Sequence, residues 1–444
     1  MVQCLKKYSI SILFIYLSIF VALGSTSLHE QLRFSDGARQ IFAILLYLPF
    51  LLLILWKIVS DLKCFHISGF NILYYLFGVY YVALTVYRFC TDAEIKESFY
   101  YSVVLFGVLA LYALMTERKL KLDRDHFQKN FFIIAGYFIA IKLIFTFIEG
   151  RLVGNPPINN LYSTSLLVIL LPFMVDTMKQ GNSRKEKISC LLLSLSVALM
   201  LVCSSRAVVL LGLGVLTGLF LMYIMSKPVA LKTLVSVGCA LVLVASMAVL
   251  NVGIVRYSLV REFNALSAII PMDDAGAIIP GEDTTLDPSE ALDQIGRSDA
   301  MRSELMKQGI AEVWKNPIFG TGNLYYTYDL GYKTMEQTAH NFIIESLVCY
   351  GIVGTVMIAL LLLAILRQCG FFRKECIKNW RIWASIILVS LYYFAFGMVQ
   401  PSVFNTLVCP VFFVAITYYG DLLLPVQDRE PKKIFRLLKT GKDS

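Results

Sequence analysis

Histidine is nearly absent from this chain, with only four in 444 residues, and its ten cysteines form no CxxC pair and no cluster with histidine. That pattern argues against a structural zinc site and a disulfide scaffold. Most of the cysteines fall inside apolar runs, and the one long polar interval contains none. Charge is also sparse, at 16% of residues. A single DxD triplet occurs, Asp123-Arg124-Asp125. It lies in a basic loop and is too short to carry a metal–nucleotide assignment, so metal-independent chemistry without a cofactor is expected. No internal repeat or low-complexity segment interrupts the chain. The first apolar run, which follows Lys6 and Lys7, lacks an A-x-A cleavage site and is longer than a signal-peptide core. It reads as a retained first helix.

What remains is hydrophobic. Apolar residues make up 57% of the chain and the mean hydropathy is +0.68, well beyond a soluble domain. The expected fold is all-α, a single integral membrane domain over residues 1–444. Apolar runs long enough to span occur at about 8–24, 40–60, 67–88, 98–115, 130–149, 161–178, 188–203, 207–225, 233–253, 341–366, 382–400 and 404–424, about twelve in all. Of the 40 lysines and arginines, 26 fall in seven alternate segments. The positive-inside rule then puts both termini in the cytoplasm and the interval 254–340 outside, as one large periplasmic loop in the inner membrane of a Gram-negative cell. The excess of nine positive charges thus reflects topology and contact with anionic membrane lipids, and no nucleic-acid partner is implied.

The loop has parts. Residues 271–297 are rich in Pro, Gly, Asp and Glu and read as an irregular stretch. From Asp299 to about Lys315, apolar residues recur at Leu305, Met306, Gly309, Ile310, Val313 and Trp314, the spacing of an amphipathic helix over about 299–315. Arg302 falls near the centre of that face, where an arginine needs an anionic partner. Asn316-Pro317 ends the helix, Gly320 and Gly322 form a turn, and Ala339-His340-Asn341 leads into the tenth span.

Arg302, Pro317, Gly320-x-Gly322, His340-Asn341, Gly351 and Gly354 together resemble the signature of the O-antigen ligase and polymerase superfamily, integral membrane enzymes that move lipid-linked glycans. The match is closest over about 297–354. One departure is Cys349, where many relatives carry an acid two residues before the first glycine of the helix. The resemblance implies a glycosyltransferase C-like architecture and inverting transfer of a glycan from undecaprenyl diphosphate to an acceptor hydroxyl at the periplasmic face. A ligase uses lipid A–core as acceptor, and a polymerase a second lipid-linked glycan. The single large outer loop favours the ligase. A protein O-oligosaccharyltransferase and a transporter without chemistry remain as further readings, although a transporter's polar groups belong near mid-membrane.

Within that frame the candidate catalytic residues are His340, Arg302 and Arg206. Imidazole suits a general base near neutral pH, and two arginines suit a diphosphate because the guanidinium fork binds phosphate oxygens in pairs. Arg206 opens the eighth span and His340-Asn341 the tenth, so two helix N-termini add partial positive charge at the same face. Arg206 could equally be a headgroup anchor, and Arg302 an ion pair within its loop. Asn341, Glu345, Tyr325 and Tyr326 are candidate substrate-binding residues. The alternatives are a helix–helix hydrogen bond for Glu345 and an interfacial aromatic belt for the tyrosines. Lys142, inside the fifth span, could touch phosphate but reads rather as a snorkelling lysine.

Overall fold

Three segments of the chain are apolar on every side, and a helix of that kind has no polar face to turn outward. In the computed structural model these form the centre of the bundle: nearly every side chain is buried over 102–115, 164–175 and 408–420. The structure describes residues 8–23, 36–64, 68–91, 96–117, 124–149, 160–179, 183–202, 205–249, 288–322, 326–329, 334–373, 379–399 and 407–423.

The described helices are α1 (Ser9–Leu23), α2 (Asp36–Cys64), α3 (Gly69–Thr91), α4 (Lys96–Thr116), α5 (Arg124–Glu149), α6 (Asn160–Met178), α7 (Ser183–Leu201), α8 (Arg206–Tyr223), α9 (Lys227–Val249), α10 (Pro288–Lys315), α11 (Phe342–Gln368), α12 (Trp380–Gly397) and α13 (Val408–Leu423). Each of the twelve apolar runs coincides with one of them, and α10 is the thirteenth. Six of the described helices are long and apolar enough to cross a membrane, and five more are apolar but shorter. The protein is therefore a multi-pass helical membrane protein. Helices α2 and α9 turn leucine, isoleucine and valine outward along most of their length, which is favourable only against lipid.

Polar side chains stitch the helices together inside the bundle. Ser11 Oγ donates to Asn130 Oδ1 at 2.7 Å, seating α1 against α5. Tyr392 bonds Ser165 at 3.0 Å between α12 and α6, and Ser102 meets Tyr350 at 2.9 Å between α4 and α11. Lys57 does not reach headgroups as the charge pattern suggests. Its side chain is fully buried, with Nζ 2.5 Å from Asp61, 2.9 Å from Asn71 and 3.1 Å from Glu117. Lys142 is likewise buried, donating to Thr164 Oγ1, and is not a snorkelling lysine.

The bundle is all-α, as expected, and one boundary needs correction. Helix α10 begins at Pro288, not near Asp299, so part of the stretch read as irregular is helical. A short antiparallel hairpin, β1 (Tyr326–Asp329) with β2 (Thr334–Gln337), joins α10 to α11 and pairs Tyr326 with Gln337 and Asp329 with Thr334. Its signal was present, since Tyr326-Thr327-Tyr328 are good strand formers and Gly331 lies in the connection. The remainder of the 254–340 interval up to residue 287 lies outside the described residues.

Candidate functional site

Helix α11 is broken at its tenth residue. Gly351 adopts φ 64° and ψ −172°, a conformation without helical continuity, roughly 15 Å along the axis at 1.5 Å per residue. A break there frees backbone groups on both sides, and in an apolar setting each must find a partner. The turn after α10 supplies them. Thr321 N donates to Val348 O at 2.6 Å and Gly322 N to Cys349 O at 2.9 Å, while Ile352 N donates to Pro317 O at 2.9 Å and Val353 N to Ile318 O at 3.2 Å. Segment 317–322 is thus clasped into the break, two bonds above Gly351 and two below.

The glycine pattern follows from this clasp. Gly320 and Gly351 both have positive φ, and a Cβ on either would fall on backbone atoms of the other strand of the clasp. Gly322 also has positive φ but faces the flexible side chain of Arg88. Helix α3 braces the arrangement: the one hydroxyl proton of Tyr80 is shared between Tyr350 O at 2.6 Å and Phe319 O at 2.9 Å, and Arg88 Nη2 donates to Gly320 O at 3.1 Å. Cys349 contributes through its carbonyl, and its side chain is buried.

The clasp fixes where α10 ends and α11 begins, and so brings Arg302 to His340. The imidazole is held below its ordinary value of 6.5, first by burial and then by the positive charge of Arg302. Arg302 itself is exposed. The face of α10 on which it was expected to be buried is split. Leu305 and Gly309 are buried, whereas Met306, Ile310 and Trp314 face outward, followed by exposed Ile318 and Phe319.

His340 has φ 52°, the one non-glycine with positive φ among the described residues, a conformation that costs about 1 kcal/mol or more. The next residue explains how it is held. Asn341 is the N-cap of α11, its side-chain oxygen accepting from Ile343 N at 3.1 Å and Ile344 N at 3.3 Å, and its amide directed to Met398 O at 3.5 Å. Its side chain is committed to the fold. Glu345, one turn on, is 1% exposed, and neither carboxylate oxygen makes a hydrogen bond of good geometry among the described residues. The polar groups that face it are the Thr338 hydroxyl and the backbone N–H groups of His340 and Asn341.

Arg206 is the first residue of α8, behind Ser205 in extended conformation at the N-cap. Its side chain lies outside the described residues, as do Tyr325 and the side chain of Tyr326, although Tyr326 opens β1. Asp125, from the DxD triplet, pairs with Lys185 at 3.5 Å. Sequence reasoning did not find Tyr80 and Arg88. Both lie on an apolar helix far from the motif, and only their contacts single them out.

A broken helix clasped by an extramembrane segment, with a half-buried histidine and an arginine beside it, defines a helical membrane protein with a polar site at one end of its bundle. The family model described as O-Antigen ligase matches residues 190–359. That stretch runs from within α7 to within α11 and takes in the clasp, Arg302 and His340, so the resemblance to the O-antigen ligase and polymerase superfamily stands. It supports ligase-like glycan transfer at the level of the family. No curated protein matches the chain.

Proposed function

We propose that this protein transfers a glycan from undecaprenyl diphosphate to an acceptor hydroxyl, as an O-antigen ligase with lipid A–core as acceptor. In this reading all twelve apolar helices cross the inner membrane, both termini are cytoplasmic, and His340 and α10 lie at the periplasmic face. The observation that carries the proposal is the convergence of Arg302 on a half-buried His340 whose imidazole is kept neutral.

The chemistry follows from the parts. His340 takes the acceptor's proton as the hydroxyl oxygen attacks the anomeric carbon. The bond from that carbon to the diphosphate breaks, and undecaprenyl diphosphate leaves with the electron pair. Arg302 and Arg206 hold the diphosphate and stabilise the charge that grows on it. The same guanidinium serves twice, since its charge adds to burial in keeping His340 unprotonated and ready to accept. Asn341 caps the helix and fixes the strained turn that aims the imidazole, with Glu345 buried behind it. Tyr325 and Tyr326, upstream of His340 in the sequence, are assigned to sugar contact. The outward apolar stripe of α10 rests on the membrane interface.

The lipopolysaccharide profile of a deletion strain tests the assignment. A ligase leaves lipid A–core bare while lipid-linked polymer accumulates. A core bearing one repeat unit would instead mean a polymerase, and lipid-linked units retained on the cytoplasmic side a flippase.

A further inference from the structure

At the end of the bundle opposite His340 lies a cavity of about 440 Å³. Helix α11 runs away from His340, and at its far end Cys369 packs against Gly420 of α13. Leu422, two residues further on, lines the cavity. The two sites thus lie toward opposite ends of α11, which is 27 residues long.

The lining is cationic. Arg124, Lys179 and Arg381 face it, against one carboxylate, Asp176. They come from three helix ends, the start of α5, the end of α6 and the start of α12. Tyr223 donates to Asp176 at 3.3 Å. Arg381 is set in place by two rings, with its guanidinium carbon 5.3 Å from the centre of Tyr223 and 5.6 Å from that of Trp380. Its Nε is buried without a hydrogen-bond acceptor among the described residues. Asn379, the N-cap of α12, makes no side-chain capping bond, and the first-turn N–H groups of α12 lie where Asn379 to Ile382 line the cavity. Among the described residues, an unmet guanidinium N–H, an uncapped helix start and an excess of two positive charges all favour an anion in the same space.

We propose that this cavity binds a phosphate-bearing anion, independently of the transfer site. Arg381 is the central ligand, Lys179 and Arg124 supply point charges, and Asp176 limits the net charge. At the inner membrane surface the phosphate can come from a lipid headgroup, which basic pockets between helix ends are suited to hold, or from a soluble phosphate compound. The space admits a phosphate together with its glycerol, or a diphosphate.

The test uses full-length protein, delipidated in detergent. Native mass spectrometry measures retention of phosphatidylglycerol, with diacylglycerol as the uncharged control, and a thermal melt measures the response to inorganic pyrophosphate. A lipid source predicts one retained phosphatidylglycerol that pyrophosphate does not displace. A soluble source predicts a rise in melting temperature with pyrophosphate and no retained lipid. In either case Arg381→Gln combined with Lys179→Gln weakens binding by at least tenfold. Asp176→Asn, which keeps an acceptor for Tyr223 and removes the opposing charge, tightens it several-fold and guards against a variant that merely misfolds. The proposal is overturned if neither probe binds, or if both variants bind as the unaltered protein does.

Discussion

Gly320 and Gly351 lie face to face with no room for a Cβ on either, one at the tip of the turn after α10 and the other at the break in α11. This contact joins the extramembrane segment to the bundle. It explains why two glycines so distant in the chain occur in one motif with His340 between them. The loop is registered on the helix by backbone hydrogen bonds, and the histidine inherits that register.

Replacing Gly320 or Gly351 by Ala should therefore be severe. Each change adds a left-handed penalty of about 1–2 kcal/mol to a collision with backbone that cannot move aside. Gly322→Ala carries the same penalty but meets only the Arg88 side chain, and should be milder. Melting temperatures in detergent and membrane accumulation would show the order. Gly351→Ala melting like the unaltered protein would remove the clasp from the account.

His340 should be tested as Asn before Ala, because Asn tolerates positive φ whereas Ala adds strain to the loss of the imidazole. His340→Asn should accumulate normally and lower turnover by about 10²–10⁴-fold, the scale of a lost general base. Donor binding should change little. Equal weakening of donor binding with turnover of bound donor preserved would make His340 a substrate ligand.

The pH dependence has a definite sign. Burial and Arg302 both disfavour the imidazolium, so the neutral base persists to below the ordinary value of 6.5. The acid limb of kcat/KM should then have its midpoint under 6.5. Arg302→Gln removes the second cause and should move that midpoint upward. A shift downward, or none, would separate Arg302 from His340.

Arg302 and Arg206 are expected to differ from His340 in kind. Arg→Ala at either should cost about 1.5–3 kcal/mol of charge-assisted bonding, divided between donor affinity and rate. Lysine should restore part of it, since a point charge lacks the bidentate fork. Donor-binding isotherms alongside single-turnover rates provide the measurement, and full rescue by lysine would argue against a forked contact with phosphate.

Away from the site, Lys57→Met should destabilise the bundle by about 3–5 kcal/mol, because it strands Asp61 and Glu117 without their shared cation. Adding Asp61→Leu should recover part of that loss in a thermal melt. A single variant as stable as the parent would mean that Lys57 carries little of the packing.

The sequence alone was enough to determine the twelve apolar helices and the family motif. Hydrophobic runs longer than any soluble helix requires are visible one residue at a time, and each coincided with a helix. The spacing of Arg302, Gly320, Gly322, His340, Gly351 and Gly354 was likewise legible, because a family motif is a linear pattern. The tertiary structure decided what those positions do together. That Gly351 breaks α11, that Pro317 to Gly322 fill the break, and that Tyr80 and Arg88 brace it depend on contacts between segments separated by most of the chain. Periodicity carries no information about such contacts. The same limit explains Lys57 and Lys142, which read as interfacial charges and are buried among partners. A charge on an apolar helix looks alike in sequence whether it turns to headgroups or inward, and only the packing of neighbouring helices chooses between them.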